Sequence, residues 1–314
     1  MKHIRSYQYI LPGTIVFSIF LMLIGICIGD ASEILPGLWK IVTMQDLLIT
    51  DYIDIAGPAA AFINAGLVTI TSVCILRLAK DPFNGFTIVE MGLMAGFSLF
   101  GKNMFNIWPI ILGTWLYARY QREPFSKYAS VALLSTSLAP LVSYMALGSV
   151  HASIPLGVLT GVAVGFLLPS LSAYTYKIQN GMNLYNMGFA CGLLAMMLVP
   201  GAVAGIFTSD SALISYTTWA MRIYMAGIFA MGFQIACQQS FMALGQAKVS
   251  LLLACLRKII LLIPLIFLLP HLVAAPVFGV FLAEPVSDIL AATITTITFF
   301  ARFDKILDQG AARV

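Results

Sequence analysis

The chain has 314 residues, of which 60% are hydrophobic and 10% charged, and its mean hydropathy is +0.95. A soluble domain carries roughly 25% charged residues, so this composition excludes an ordinary cytosolic enzyme, a disordered chain and a nucleic-acid-binding domain. The net charge of +4 is small, and the positions of the charges say more than their sum.

A helix that crosses a bilayer needs roughly 20 mostly apolar residues. Lys2 and Arg5 precede an apolar run ending near Gly29. The shape suits a signal peptide, but a retained first span over 9–29 is expected because the rest of the chain is polytopic. Leu38, Ile41, Val42, Leu48 and Ile49 then fall near one helical face beside Trp39. That predicts a short helix lying in the outer interface, or a plain amphipathic loop. Further spans are expected over 55–76, 128–147, 153–175, 183–206, 217–244, 256–275 and 277–300. The stretch 86–118 is apolar but interrupted by Gly101-Lys102-Asn103, which reads as two short tilted spans or a re-entrant hairpin. Counted as two, it brings the total to about ten spans, an all-α polytopic membrane helical bundle.

With the N-terminus inside, this topology puts fourteen of the 17 Lys and Arg residues on the inner side and only Lys40, Lys102 and Arg222 outside. The positive-inside rule is obeyed, and both termini are expected to be cytoplasmic.

Two segments read alike, Asn84 to Gly96 (NGFTIVEMGLMAG) and Asn180 to Gly192 (NGMNLYNMGFACG), with glycines at 85, 92, 96 and 181, 188, 192. They form a parallel internal repeat. Gly92 with Gly96, and Gly188 with Gly192, suit close helix packing, as does the stripe Gly157, Gly161, Gly165. The Asn-Gly starts suggest broken helix entries with polar backbone at the membrane edge, a device transporters use to build sites. After Leu198 the second copy stops following the first, so a boundary is placed near residue 200, dividing 1–200 from 201–314.

Five cysteines in apolar stretches form no CxxC, and three histidines lie far apart, so neither a metal site nor a cofactor is expected. GFSLFGKN, Gly96 to Asn103, nearly spells a phosphate loop. Asn103 stands where Ser or Thr would hold Mg²⁺, and the context is a hydrophobic helix, so nucleotide hydrolysis is rejected. No triad, metal cluster or cofactor motif supports an enzyme.

Intramembrane charges are costly and mark function by default. Glu90, Glu284 and Asp288 are the three acids within spans. Glu284 and Asp288 share a helix face that could bind a cation or carry a proton, or they pair with Arg257 or Arg222. Glu90 is a lone carboxylate beside a helix break, and its counterpart in the repeat is Asn186. Gln234 and Gln238 share a face, and Gln234 with Tyr224, Met225 and Met231 suits a polar-aromatic substrate path, although interhelical hydrogen bonding explains glutamines equally. Arg257 and Lys258 are expected to snorkel to the inner interface. Lys102, Asn103 and Asn106 either coordinate an anion at a re-entrant tip or form the outer turn.

Residues 1–198 resemble a bacterial multi-pass membrane family defined as a domain of unknown function, DUF1576. The strings that carry the resemblance are EILPGLWKIVT, LITDYIDIAGPAAAFINAG, FGKNMFNIWPIILG, YQREPFSKY and NGMNLYNMGFACG. It implies an integral protein of the bacterial inner membrane and supplies no chemistry. Residues 204–314 resemble the last three helices of the multidrug and toxic compound extrusion family, through IFTSDSALI, YMAGIFAMGFQIACQQSFMALGQAKVSLLLACLRKIILLIPLIFLLP and GVFLAEPVSDILAA. That resemblance implies export of drugs or organic cations against Na⁺ or H⁺. Glu90, Glu284 and Asp288 would then couple the ion, with Gln234, Gln238 and Tyr224 in the substrate path. It also gives Glu284 and Asp288 a structural reading, because the AEP-x-SD pattern belongs to that family's last helix generally. The alternative is a non-transporting fusion fragment or a membrane subunit that needs a partner, either a second copy or another chain. In this topology Ser153→Cys is labelled from outside and Ser126→Cys is protected; selective labelling at position 126 would sink it.

Overall fold

The computed structural model describes residues 9–46, 50–148, 153–178, 186–244 and 246–311. Among them every regular element is a helix, apart from an isolated antiparallel bridge between Asp51 and Phe100. The chain divides into two compact units, Met1–Ala195 and Met196–Val314.

The first unit begins with α1 (Ile10–Ile28), apolar all round, whose buried side carries Thr14, Ser18 and Gly25. These small residues let α1 approach α4 (Pro58–Ala79) closely. A Cβ on Gly25 would lie 2.6 Å from Ala59 O, and one on Gly66 would lie 2.8 Å from Ser18 O. The Thr14 and Ser18 hydroxyls donate to Leu11 O and Thr14 O, so neither is left unsatisfied. Between these helices lie α2 (Ala31–Thr43) and α3 (Tyr52–Ala56), the latter N-capped by the Asp51 carboxylate. Ile41 and Tyr52 pack on Ala60 and Ala61 with Leu38 against them, while Trp39 is 71% exposed. A short helix thus stands where one was expected, as α2; Leu48 and Ile49 lie outside the described residues.

The stretch 86–118 forms two short helices, α5 (Gly85–Phe97) and α6 (Ile107–Tyr120). At 1.5 Å per residue each is about 20 Å long, short of a hydrocarbon core of about 30 Å. Asn84 caps α5: its Oδ1 accepts from Phe86 N at 2.8 Å, and Thr87 Oγ1 accepts from Asn84 N at 3.1 Å. The Asn-Gly start is thus an ordinary capping box; its counterpart Asn180-Gly181 lies outside the described residues. The span 129–147 is α7 (Ala129–Ser135), a 3₁₀ turn (Thr136–Leu138) and α8 (Ala139–Leu147). It frames the short pair. Ser130, at its start, meets Asp81 and Glu90, and Tyr128 meets Tyr117 near the end of α6. Ser143, near its far end, meets Asn106 in the α5–α6 connection. So α5 and α6 run antiparallel, as a hairpin whose tip is residues 98–106.

Helix α9 (Ile154–Ile178) packs on α6 and α8 through glycines. A Cβ on Gly165 would overlap the Ile110 carbonyl, and one on Gly157 would lie 2.7 Å from Val142 O. Thr114 Oγ1 donates to Gly165 O at 2.9 Å across this contact. The stripe Gly157, Gly161, Gly165 therefore packs helices as expected. Gly92, Gly96 and Gly192 do not: a Cβ on any of them meets nothing within 4 Å. On α5, Gly92 and Gly96 lie off the helix contacts because that helix turns Thr87, Glu90, Met91 and Met94 inward instead.

Helix α10 (Asn186–Leu198) is followed, after Val199, by α11 (Pro200–Phe207). The second unit continues with α12 (Ser211–Tyr224), a 3₁₀ turn (Met225–Gly227) and α13 (Ile228–Ala243). Then come α14 (Ala247–Cys255), a π-helical segment (Leu256–Leu262), α15 (Ile263–Leu272) and α16 (Pro276–Ala311). Gly227 lets the 3₁₀ turn lie against α16, since a Cβ there would be 2.6 Å from Pro285 Cα.

Among the described residues seven helices are long and apolar enough to cross a membrane, eight if the broken 187–207 pair is one span. The expected ten spans included the hairpin helices at full value, and neither reaches spanning length. Gly165→Val should lower thermal stability in detergent by about 2 kcal/mol or more through overpacking. Gly92→Ala and Gly96→Ala should leave it unchanged or raise it, since they add helix propensity in open space. A stability loss for Gly92→Ala equal to that of Gly165→Val would contradict this packing.

Candidate functional site

The hairpin tip sits inside unit 1, and its peptide groups find protein partners. Asn64 Nδ2 donates to Ser98 O at 2.8 Å and Lys102 O at 2.9 Å. Asn103 Oδ1 accepts from Phe105 N and Asn106 N, while Asn106 Oδ1 accepts from Asn103 N, so each amide caps the other's turn. Asn106 Nδ2 donates to Gly101 O at 2.8 Å and lies 3.0 Å from Ser143 Oγ. Asn103 Nδ2 lies 3.0 Å from Tyr52 OH and 3.2 Å from Ile41 O. The Tyr52 hydroxyl donates to Asp46 Oδ2 at 3.0 Å. Backbone at membrane depth is tolerated only when protein satisfies it. Asn103 and Asn106 are spent on that task, so the anion-coordinating reading of these two residues is corrected.

Two ionisable side chains of the hairpin are left less well served. Glu90 is 0% exposed; its Oε2 accepts from Ser130 Oγ at 3.2 Å and its Oε1 has no partner. Lys102 is 1% exposed, so it is no outer-loop residue as the charge count assumed. Its ammonium folds back to Met94 Sδ at 3.2 Å and the face of Phe97 at 5.3 Å. Among the described residues no carboxylate lies within 4.0 Å of it. Met94 stands one turn beyond Glu90 on the same buried face of α5. Thr136 Oγ1 also touches Met94 Sδ, and the next residue, Ser137, donates to Cys191 Sγ.

In unit 2, Glu284 and Asp288 lie one turn apart on α16 and share a partner. Arg257 Nε is 2.5 Å from Asp288 Oδ1, and its second nitrogen is 3.3 Å from Glu284 Oε1. Lys258 Nζ is 2.6 Å from Glu284 Oε1. Consecutive residues of an α-helix diverge, and the wider π winding of 256–262 lets both reach α16. Ser287 donates to Arg257 O at 2.8 Å, using a carbonyl of that winding. Arg257 pairs here rather than snorkelling, and Arg222 has no ion pair among the described residues. Removing Arg257 costs about 3–5 kcal/mol, because the two buried acids are left uncompensated; Lys258, its side chain 51% exposed, contributes less.

Gln234 is 2% exposed and its Nε2 donates to Leu253 O at 3.4 Å. Gln234 Oε1 and Gln238 Nε2 are buried without partners, whereas Tyr224 is 47% exposed. Glu90 thus belongs to unit 1, and the remaining five expected site residues belong to unit 2. The expected set omitted Asp46, Tyr52, Asn64, Ser130 and Ser143. Asn64 carried a readable signal, as the only Asn in the apolar helix α4.

These features define a multi-pass, all-α membrane protein. The family model described as Protein of unknown function (DUF1576) matches residues 30–204, more than half of the chain. The chain belongs to that family. No curated protein and no solved structure matches it.

Asp46, in the connection after α2, makes the tip sensitive to pH. Burial pushes its carboxyl up to about 7, against hydrogen bonds from Ser143, Tyr52 and Asn106 that pull it down. A carboxyl raised on folding binds more protons in the native state, so stability falls as pH rises from the unfolded value, about 3.9, to about 7. Asp46→Asn should therefore stabilise the protein relative to wild type increasingly across that window. Thermal unfolding in detergent at pH 5 and pH 8 checks it; a benefit at pH 5 larger than at pH 8 has the wrong sign.

Proposed function

We propose that the chain is a secondary transporter-like protein of the bacterial inner membrane, coupling H⁺ or Na⁺ to the movement of a drug-like or organic cation. One observation carries this reading: the α5–α6 hairpin holds Glu90 and Lys102 fully buried without a direct ion pair. Intramembrane charge is expensive, and transporters place it beside interrupted helices that line the substrate route. Glu284 and Asp288 are neutralised by Arg257 and Lys258, which favours a helix-tying role for them and leaves Glu90 as the coupling acid.

The cation as cargo rests on the resemblance of residues 204–314 to multidrug and toxic compound extrusion proteins. The unpartnered amide atoms of Gln234 and Gln238 suit a ligand bound within unit 2, with Tyr224 in its path. In this reading two membrane modules, 1–200 and 201–314, make one transporter. A second reading, a membrane subunit that needs a partner, is favoured by the exposed face of α5. There Ile88 and Val89 are more than half exposed, and a Cβ on Gly92 or Gly96 would meet nothing within 4 Å.

Purified full-length chain in liposomes should move a fluorescent organic cation when a proton or Na⁺ gradient is imposed, and Glu90→Gln should abolish the gradient dependence. Gradient-independent leakage alone, or wild-type rates in Glu90→Gln, would overturn the transporter reading.

A further inference from the structure

We propose that Glu90 and Lys102 form a proton-exchange site inside unit 1, entered past Asp81 and Ser130. The inference rests on the coupled-transport reading and names its ion.

The chemistry of the lining selects the ion. A bound alkali or alkaline-earth cation needs several oxygen ligands. The side-chain hydrogen-bond partner given to Glu90 among the described residues is Ser130 Oγ at 3.2 Å. Beyond it the buried face turns to sulfur: Met94 Sδ receives both Lys102 Nζ and Thr136 Oγ1, and Cys191 Sγ receives Ser137 Oγ. Thioether and thiol are poor partners for hard cations, and the Lys102 ammonium repels any cation brought to this face. A proton needs no such shell. It needs a carboxylate oxygen within reach of a donor, which Glu90 Oε2 has in Ser130 Oγ at 3.2 Å, while Oε1 stays buried and unpartnered.

An entry is present. Ser130 Oγ lies 3.2 Å from Glu90 Oε2 and 3.4 Å from Asp81 Oδ2, so one hydroxyl bridges the buried acid and the partly exposed one. Asp81 lies in the connection before α5, and burial raises its carboxyl above the ordinary range, so it takes protons from water more readily than a free aspartate. In transfer, Asp81 gives its proton to Ser130 Oγ as that hydroxyl gives its own to Glu90 Oε2. Ser130 ends unchanged, Asp81 is again a carboxylate, and Glu90 holds one added proton. The reverse exchange empties the site. The charged groups acting on Glu90 are Asp81 and Lys102, and Cys191 acts on Lys102 in turn. Lys102 is therefore a positioning residue, one of the two charges that bear on Glu90.

Dicyclohexylcarbodiimide, an apolar reagent for protonated carboxyl groups, tests this on the full-length chain, with the modified residue located by peptide mass spectrometry. Glu90 should be modified, less so as pH rises and unaffected by added Na⁺, and Glu90→Gln should lose the label. Lys102→Met should raise modification at neutral pH, because it removes the buried positive charge that bears on the acid, while Lys102→Arg should leave it as in wild type. Absence of label at Glu90, protection by Na⁺, or an unchanged profile in Lys102→Met would each overturn the site. If Lys102→Met does not purify as a monodisperse protein, the wild-type pH profile and Na⁺ protection decide. Labelling without gradient-driven transport would overturn the transporter reading and leave the proton site standing. Transport without labelling would do the reverse.

Discussion

A polypeptide turn inside a bilayer has no water to satisfy it, and unit 1 is arranged around that constraint. The α5 and α6 helices are too short to carry their connection out to solvent, so the connection must be satisfied by protein. Asn64 on α4 holds two of its carbonyls, Asn103 and Asn106 cap each other, and Asp46 with Tyr52 closes over them from the segment between α2 and α4. Helices α1, α4, α6 and α9 can hold these groups in register because glycines bring their backbones into contact.

The same constraint separates the two groups of ionisable side chains. In unit 2 the acids of α16 meet their countercharges directly, with a π-helical winding that turns two consecutive basic residues to one side. The result is a closed, neutral set that ties α16 to the segment before α15. In unit 1 the acid and the base of the hairpin are both buried, yet sulfur and an aromatic ring stand where a countercharge would. Paired charges in a low-dielectric interior tend toward structure, and unpaired ones toward exchange.

Much of the fold was legible as one-dimensional pattern. Most apolar runs of spanning length, the interruption at Gly101-Lys102-Asn103, the amphipathic face of Leu38 and Ile41, and the Gly157–Gly161–Gly165 stripe appear in the helices as read, whereas the run 183–206 bends by 111° at its break. What misled was spacing taken as contact. Gly92 and Gly96 have the spacing of a packing motif and meet nothing, because the inward face of α5 belongs to Glu90, Met91 and Met94. The Asn84-Gly85 step looked like a break and is a capping box.

By itself the sequence determined that this is a helical membrane protein, where its apolar segments lie, and which few charges are forced into them, because length and hydropathy along the chain settle those matters. Only the tertiary structure decided what those charges do. Glu284 and Asp288 became neutral partners of Arg257 and Lys258, which lie more than 25 residues away. Glu90 and Lys102 stayed without carboxylate–ammonium contact although twelve residues apart on one hairpin. Pairing is a property of distance in space, and a hairpin that folds its lysine back onto a methionine cannot be read from spacing along the chain.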